Sequence, residues 1–226
     1  MFVRAGPDED FVSAAERPAI AAVVFDIGGV LLDWDPRHLY RKVFEDDEAM
    51  EQFLSRICTP EWHEPHDRGE STAASCARLA EAHPEHAEEI WAWMTRGEEM
   101  VAGAIEQTVD ILTELSRAGV ACYALSNMEA ETFPLRLERF AFLGLFDGIV
   151  ISGLEGMAKP DRAIFELLLE RFGLDPGSTL FVDDNVANLV AAFSLGMSTV
   201  HFRSPEGLRR SLQAVDLLPA GGGPAA

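Results

Sequence analysis

Lysine is nearly absent from this chain: Lys42 and Lys159 are the two lysines among 18 basic side chains, the rest being arginine. Basic charge of any kind is scarce beside 38 Asp and Glu, which leaves a formal net charge of −20 over 226 residues. A surface of that sign repels a phosphate backbone and an anionic bilayer, so neither nucleic acid nor membrane is an expected partner. Cysteine is limited to Cys58, Cys76 and Cys122, scattered without metal-type spacing. That excludes a disulfide scaffold and a thiolate zinc site, and suits reduced, buried thiols in the cytoplasm. No apolar run is long enough to span a bilayer; the longest, 20–32, is broken by Asp26. No basic stretch followed by an apolar core opens the chain, so no secretory leader is expected.

What is present reads as one α/β core with a helical insert. Residues 1–18 are acidic and without period, the pattern of a loose arm, and 219–226 are a Gly/Pro/Ala tail. Between them, β-rich runs at 21–25, 120–125, 148–151, 179–182 and 198–202 alternate with amphipathic helical patterns at 107–118, 161–172 and 186–195. Such alternation predicts a Rossmann-like parallel sheet with helices on both faces. About 80 residues separate the first two strands, and four helical patterns (37–45, 48–57, 72–82 and 84–100) fill them with no strand expected. The expected division is a core of 19–35 with 104–218 and a helical cap of 36–103. Ligands of open α/β sheets bind beyond the carboxyl ends of the strands, so a cap inserted there covers the site.

Polar residues fall at those strand ends in order. Asp26 closes the first strand within VVFDIGGVLLDWDP; Ser126-Asn127 close the second; Lys159 precedes a helix in AKPDRAIFELLL; Asp183-Asp184-Asn185 close the fourth. Singly, each has an ordinary reading as a turn carboxylate, a helix cap or a solvated cation. Their common place at one sheet edge is what points to a site. Gly28-Gly29 matches neither a dinucleotide-binding fingerprint nor a P-loop. His63-x-x-His66 and His83-x-x-His86 are not the HExxH pattern and show no third ligand, so zinc is not expected. Trp91 and Trp93 are expected to pack the cap.

The ordered set VVFDIGGVL, YALSN, AKPD and FVDDN resembles the four motifs of the haloacid dehalogenase superfamily of hydrolases, with an α-helical cap of the first type between motifs one and two. Within it, LSN, GMAKPD and FVDDN look most like bacterial phosphatases of sugar 1-phosphates. The resemblance implies that Asp26 is the nucleophile and forms an aspartyl-phosphate on a small phosphorylated metabolite. It implies Mg²⁺ held by Asp26, the Gly28 carbonyl and Asp184, with Asp183 as ligand or supporting partner. Ser126, the Asn127 amide and Lys159 would hold the phosphoryl oxygens. In the cap segment EWHEPHDRGES, read as a specificity loop before a helix, Arg68 or His63 would touch the leaving group.

Charge supports the metal. Asp26, Asp183 and Asp184 against Lys159 leave two uncompensated negative charges facing a phosphate dianion, and each close pair is worth about 4 kcal/mol at an effective dielectric of ~20. One departure stands out. Most phosphatases of this superfamily place an acid/base Asp two residues after the nucleophile, and here that position is Gly28. Such a group typically contributes about 10²–10⁴-fold. Either Asp33, Asp35 or His63 replaces it, or the leaving group needs little protonation, or turnover is slow. Two other functions stay open: a 2-haloacid dehalogenase, which needs no metal, and a regulatory protein that binds a phosphometabolite.

Overall fold

The computed structural model describes residues 19–219, so the expected N-terminal arm and nearly all of the expected tail lie outside the described residues. Chain order begins with β1 (Ala22–Phe25) and β2 (Leu32–Trp34). The insert follows as α1 (Arg37–Tyr40), α2 (Asp47–Arg56), α3 (Pro60–Asp67), α4 (Thr72–Ala82) and α5 (Ala87–Thr95), and ends at β3 (Val101–Ala104). The core continues with α6 (Glu106–Arg117), β4 (Ala121–Ser126), α7 (Phe133–Arg139), β5 (Gly148–Ile151), α8 (Ser152–Glu155) and α9 (Arg162–Phe172). It closes with β6 (Thr179–Asp183), α10 (Val186–Ser194), β7 (Ser198–His201) and α11 (Pro205–Ala214).

Five strands form one parallel sheet in the order β5-β4-β1-β6-β7. All four residues of β1 are buried, as a central parallel strand requires, because helices cover both faces. Side chains alternate between those faces. Val23 and Phe25 pack with Leu112 and Leu115 of α6 and Leu208 and Leu212 of α11. Val24 packs on the other side with Ile164, Phe165 and Leu168 of α9 and Leu189 of α10. From β1 the chain moves outward through β4 to β5, then returns to the opposite side of β1 for β6 and β7. The reversal leaves a crevice beyond the carboxyl ends of β1, β4 and β6.

The insert has its own apolar cluster, in which Leu39, Tyr40, Phe53, Cys76, Ile90, Trp93 and Met100 are buried. Tyr40 contacts the Phe53 ring at 5.1 Å and the Trp93 ring at 6.2 Å. All three cysteines are free and buried. No helix among the described residues is long and apolar enough to cross a membrane.

Three local expectations are corrected. The insert is not strand-free: β2 and β3 pair antiparallel where it leaves and re-enters the core, with Leu32 opposite Ala104 and Asp33 opposite Gly103. Strands of three and four residues are too short for a period of two to show. The segment around Trp62 is a helix rather than a loop. Pro60 opens α3, and the Thr59 hydroxyl caps it by accepting from the Trp62 amide at 3.2 Å; Pro65 inside α3 disguises it. Finally, the pattern at 84–100 is broken, with 3₁₀ turns at Pro84–His86 and Gly97–Met100 flanking α5, where proline and glycine interrupt it.

Candidate active site

Asp26 follows the last residue of β1, and its amide donates to the Val182 carbonyl at 2.8 Å, so the sheet ladder fixes its backbone. Its Oδ1 accepts from the Ile27 amide at 2.6 Å, and its Oδ2 lies 2.9 Å from Lys159 Nζ. The same ammonium donates to Asp183 Oδ2 at 2.8 Å. Lys159 is buried, with Nζ 5.5 Å from the centroid of the Phe181 ring. Burial works against its charge, but Asp26 and Asp183 outweigh it and hold the ammonium above its usual pKa. Burial pushes the Asp26 carboxyl the other way, up to about 7; Lys159 opposes this, and Asp183 and Asp184 add to it. Partial burial and Asp183 raise Asp184 as well.

The two acids at the end of β6 are not equivalent. Asp183 is fully buried and saturated: besides Lys159 it accepts from the Asn185 amide at 2.7 Å and from Asn188 Nδ2 at 3.0 and 3.1 Å. Asp184 is exposed toward the crevice. Its carboxylate lies so near Gly29, whose φ is +72°, that a Cβ there would collide with it. Only glycine combines that backbone angle with that proximity. Asp26, Asp183 and Asp184 each offer an oxygen within 4.8 Å of the others. Asn127, expected to act through its backbone, also clamps the lysine loop. Its Nδ2 donates to the Lys159 carbonyl at 2.9 Å, and its Oδ1 accepts from the Lys159 amide at 2.8 Å.

A cavity of about 580 Å³ opens over these groups. Asp26, Gly28, Ser126, Asn127, Lys159, Asp184 and His63 all line it, with Asp183 beneath. Arg68 is not among the lining residues: it pairs with Glu64 at 3.1 Å and with Asp161. Of the three candidate replacement acids, only His63 reaches the cavity wall. Asp33 pairs with His38 at 2.9 Å, and Asp35 accepts from the Arg37 amide at 2.8 Å. Trp93 packs the cap as expected and also faces the cavity.

Several lining residues escaped the sequence reading. Glu129 carries no signal beyond following Ser126-Asn127. The same holds for Arg136, whose buried guanidinium pairs with Glu98. Asn188 does carry one, as a polar residue five positions after Asp183 on an otherwise apolar helix.

Comparison with known proteins places this geometry in context. The family model described as haloacid dehalogenase-like hydrolase matches residues 20–196. The sesquiterpene phosphatase astK of Aspergillus oryzae is 33% identical over 181 residues, 80% of this chain and 88% of the fungal protein. Two solved structures share the fold. A predicted HAD-like family hydrolase from Porphyromonas gingivalis superposes with a TM-score of 0.65 at 20% identity, covering 87% of this chain and 99% of its own. The magnesium complex of the HAD family enzyme bt-2542 from Bacteroides thetaiotaomicron gives 0.63 at 22% identity, covering 80% and 92%.

Removing one member of a buried charge cluster leaves the others uncompensated. Lys159→Met is therefore expected to lose about 3–5 kcal/mol in urea unfolding at neutral pH. A loss below about 1 kcal/mol, the range of an exposed pair, would contradict the shared-ammonium geometry.

Proposed function

The chain belongs to the haloacid dehalogenase-like hydrolases, and on that footing we propose that it is a magnesium-dependent phosphatase of small organic phosphomonoesters. The observation that carries the reading is the charge surplus: three carboxylates converge within 4.8 Å against one ammonium. The donor set is all oxygen, which suits a hard divalent cation. Asp26, Asp184 and the Gly28 carbonyl would hold Mg²⁺, while Asp183, already saturated, orients Lys159 and the start of α10. When bound, the ion supplies neutralisation of charge on the phosphoryl oxygens.

The chain's own residues do the rest. Asp26, fixed by the Ile27 amide and Lys159, attacks phosphorus as the bond to the ester oxygen breaks. The alcohol leaves, protonated by solvent water because position 28 carries no acid, and Asp26 carries the phosphoryl group as an acyl phosphate. Lys159, Ser126 and the Asn127 amide hold the non-bridging oxygens, and Asn127 fixes the lysine loop through its side chain. The buried floor, with its pre-set donors, needs little reorganisation as charge develops. Water then attacks phosphorus, the bond to Asp26 breaks, and inorganic phosphate leaves with the carboxylate regenerated.

Two outcomes test this reading. In Mg²⁺, the wild type should hydrolyse para-nitrophenyl phosphate, whose leaving group needs little protonation. EDTA or Asp26→Asn should remove at least about 10³-fold of kcat with the fold intact by circular dichroism. Turnover that survives either change would refute the assignment.

The cavity walls bear on the leaving group. Trp34, Trp93, Met94, Met100, Met128 and Leu135 also line the cavity. Such walls favour an alcohol with a hydrocarbon body over a bare sugar, and the name of the Aspergillus relative points the same way. A sesquiterpenoid monophosphate such as farnesyl phosphate should therefore show at least about tenfold higher kcat/KM than glucose 1-phosphate. The reverse order would restore the sugar-phosphate resemblance.

A further inference from the structure

A second convergence of metal-ligating side chains stands apart from the carboxylate cluster. His63 and His66, three residues apart on α3, share one helix face. Glu129, from the loop after β4, comes up against them from the core. Glu129 Oε1 lies 3.6 Å from His63 Nε2 and 3.6 Å from His66 Nδ1, and the three atoms fall within 4.8 Å of one another. A separation of 3.6 Å is too long for a hydrogen bond. It is close to the edge of a tetrahedron around a zinc-class ion, about 3.4 Å for bonds of 2.0–2.1 Å.

An independent observation points to a missing partner. His66 is fully buried, yet neither ring nitrogen has a hydrogen-bond partner. Buried polar atoms are nearly always paired, so two unpaired nitrogens on one buried ring call for an explanation. A cation on Nδ1 supplies it for the nitrogen that faces Glu129. The surroundings agree. Asp67 Oδ2 lies 4.0 Å from His63 Nδ1, on the ring edge away from Glu129, where ligating imidazoles commonly meet a carboxylate. Trp93 Nε1 donates to Glu129 Oε1 at 3.4 Å, and Trp34 stacks on the His63 ring at 5.7 Å, so both ligands are held in place.

We propose that His63 Nε2, His66 Nδ1 and Glu129 Oε1 form a second metal site, for a zinc-class divalent transition metal, that clasps the cap to the core. Two imidazoles and one carboxylate select such a metal, whereas the all-oxygen cluster at Asp26 selects magnesium. Three protein ligands leave a coordination position open. His63 and Glu129 both line the cavity that holds Asp26, so the clasp joins the two walls between which the substrate sits. The spacing of His63 and His66 shows no third ligand along the chain because Glu129 is 63 residues further on and belongs to the core.

The test uses the full chain, stripped by chelation and returned to saturating Mg²⁺, then titrated with Co²⁺ as a spectroscopic stand-in for zinc. The expected result is one Co²⁺ per chain with the intense visible absorption of a four- or five-coordinate site. Asp184→Asn should retain that band, and Glu129→Gln should weaken Co²⁺ binding at least about tenfold. Because His66 lies in the packed cap and its replacement risks misfolding, His63→Asn, at the cavity wall, gives the second reading and should weaken binding similarly. Absence of Co²⁺ uptake by the Mg²⁺-loaded wild type would overturn the proposal. So would uptake that Asp184→Asn removes and Glu129→Gln keeps. A third contrary result is His63 and His66 imidazole resonances that titrate with pH and ignore Co²⁺, which would make the cluster a proton-sharing ion pair.

Discussion

One buried ammonium shared between two carboxylates organises this molecule. Lys159 is held 2.9 Å from Asp26 and 2.8 Å from Asp183, on three chain segments far apart in sequence. Alone, such a cluster is a poor source of stability, because desolvating three charges opposes their attraction. Its value lies in geometry. It fixes Asp26 from below, leaves Asp184 facing the crevice, and keeps a negative surplus where the sheet topology opens a pocket. The neighbouring polar groups serve the same arrangement. Asn188 and the Asn185 amide saturate Asp183, and Asn127 grips the loop that carries the lysine.

Above this floor the cap supplies a different chemistry. Its helices pack around their own aromatic cluster and turn Trp93 and Met94 toward the cavity, beside Trp34 at the end of β2. On the proposed function, floor and walls would divide the work: charge would recognise the phosphoryl group, and apolar surface would meet the alcohol. Gly28 sits between them. A Cβ there would meet nothing within 4 Å, so its lack of a side chain is not forced by crowding. The absent acid is therefore a chemical feature of the site and not a consequence of packing.

The core was legible because its signals are local and redundant. β1 is an unbroken apolar run ended by an acid, α9 is an amphipathic pattern and α10 a largely apolar one, each followed by glycine after the last turn. The motif residues at the strand ends were readable for the same reason, since a parallel sheet carries them to one edge. The β2–β3 ribbon and α3 were hidden because one is too short to show a period and the other contains Pro65. Arg68, expected in a cap segment that would touch the leaving group, pairs with Asp161 and Glu64 and is not among the residues lining the cavity, because the segment's sequence does not encode which way a helical side chain faces. Glu129 was invisible because its significance depends on the cap, and no periodicity encodes how an insert docks.

The central claim is that Asp26 accepts the phosphoryl group before water does. The stereochemical course at phosphorus tests it most directly, with a substrate made chiral by oxygen isotopes and a labelled acceptor. Two successive in-line displacements give net retention, which is the predicted result. Net inversion would mean that water attacks the substrate directly and that Asp26 only holds the site together.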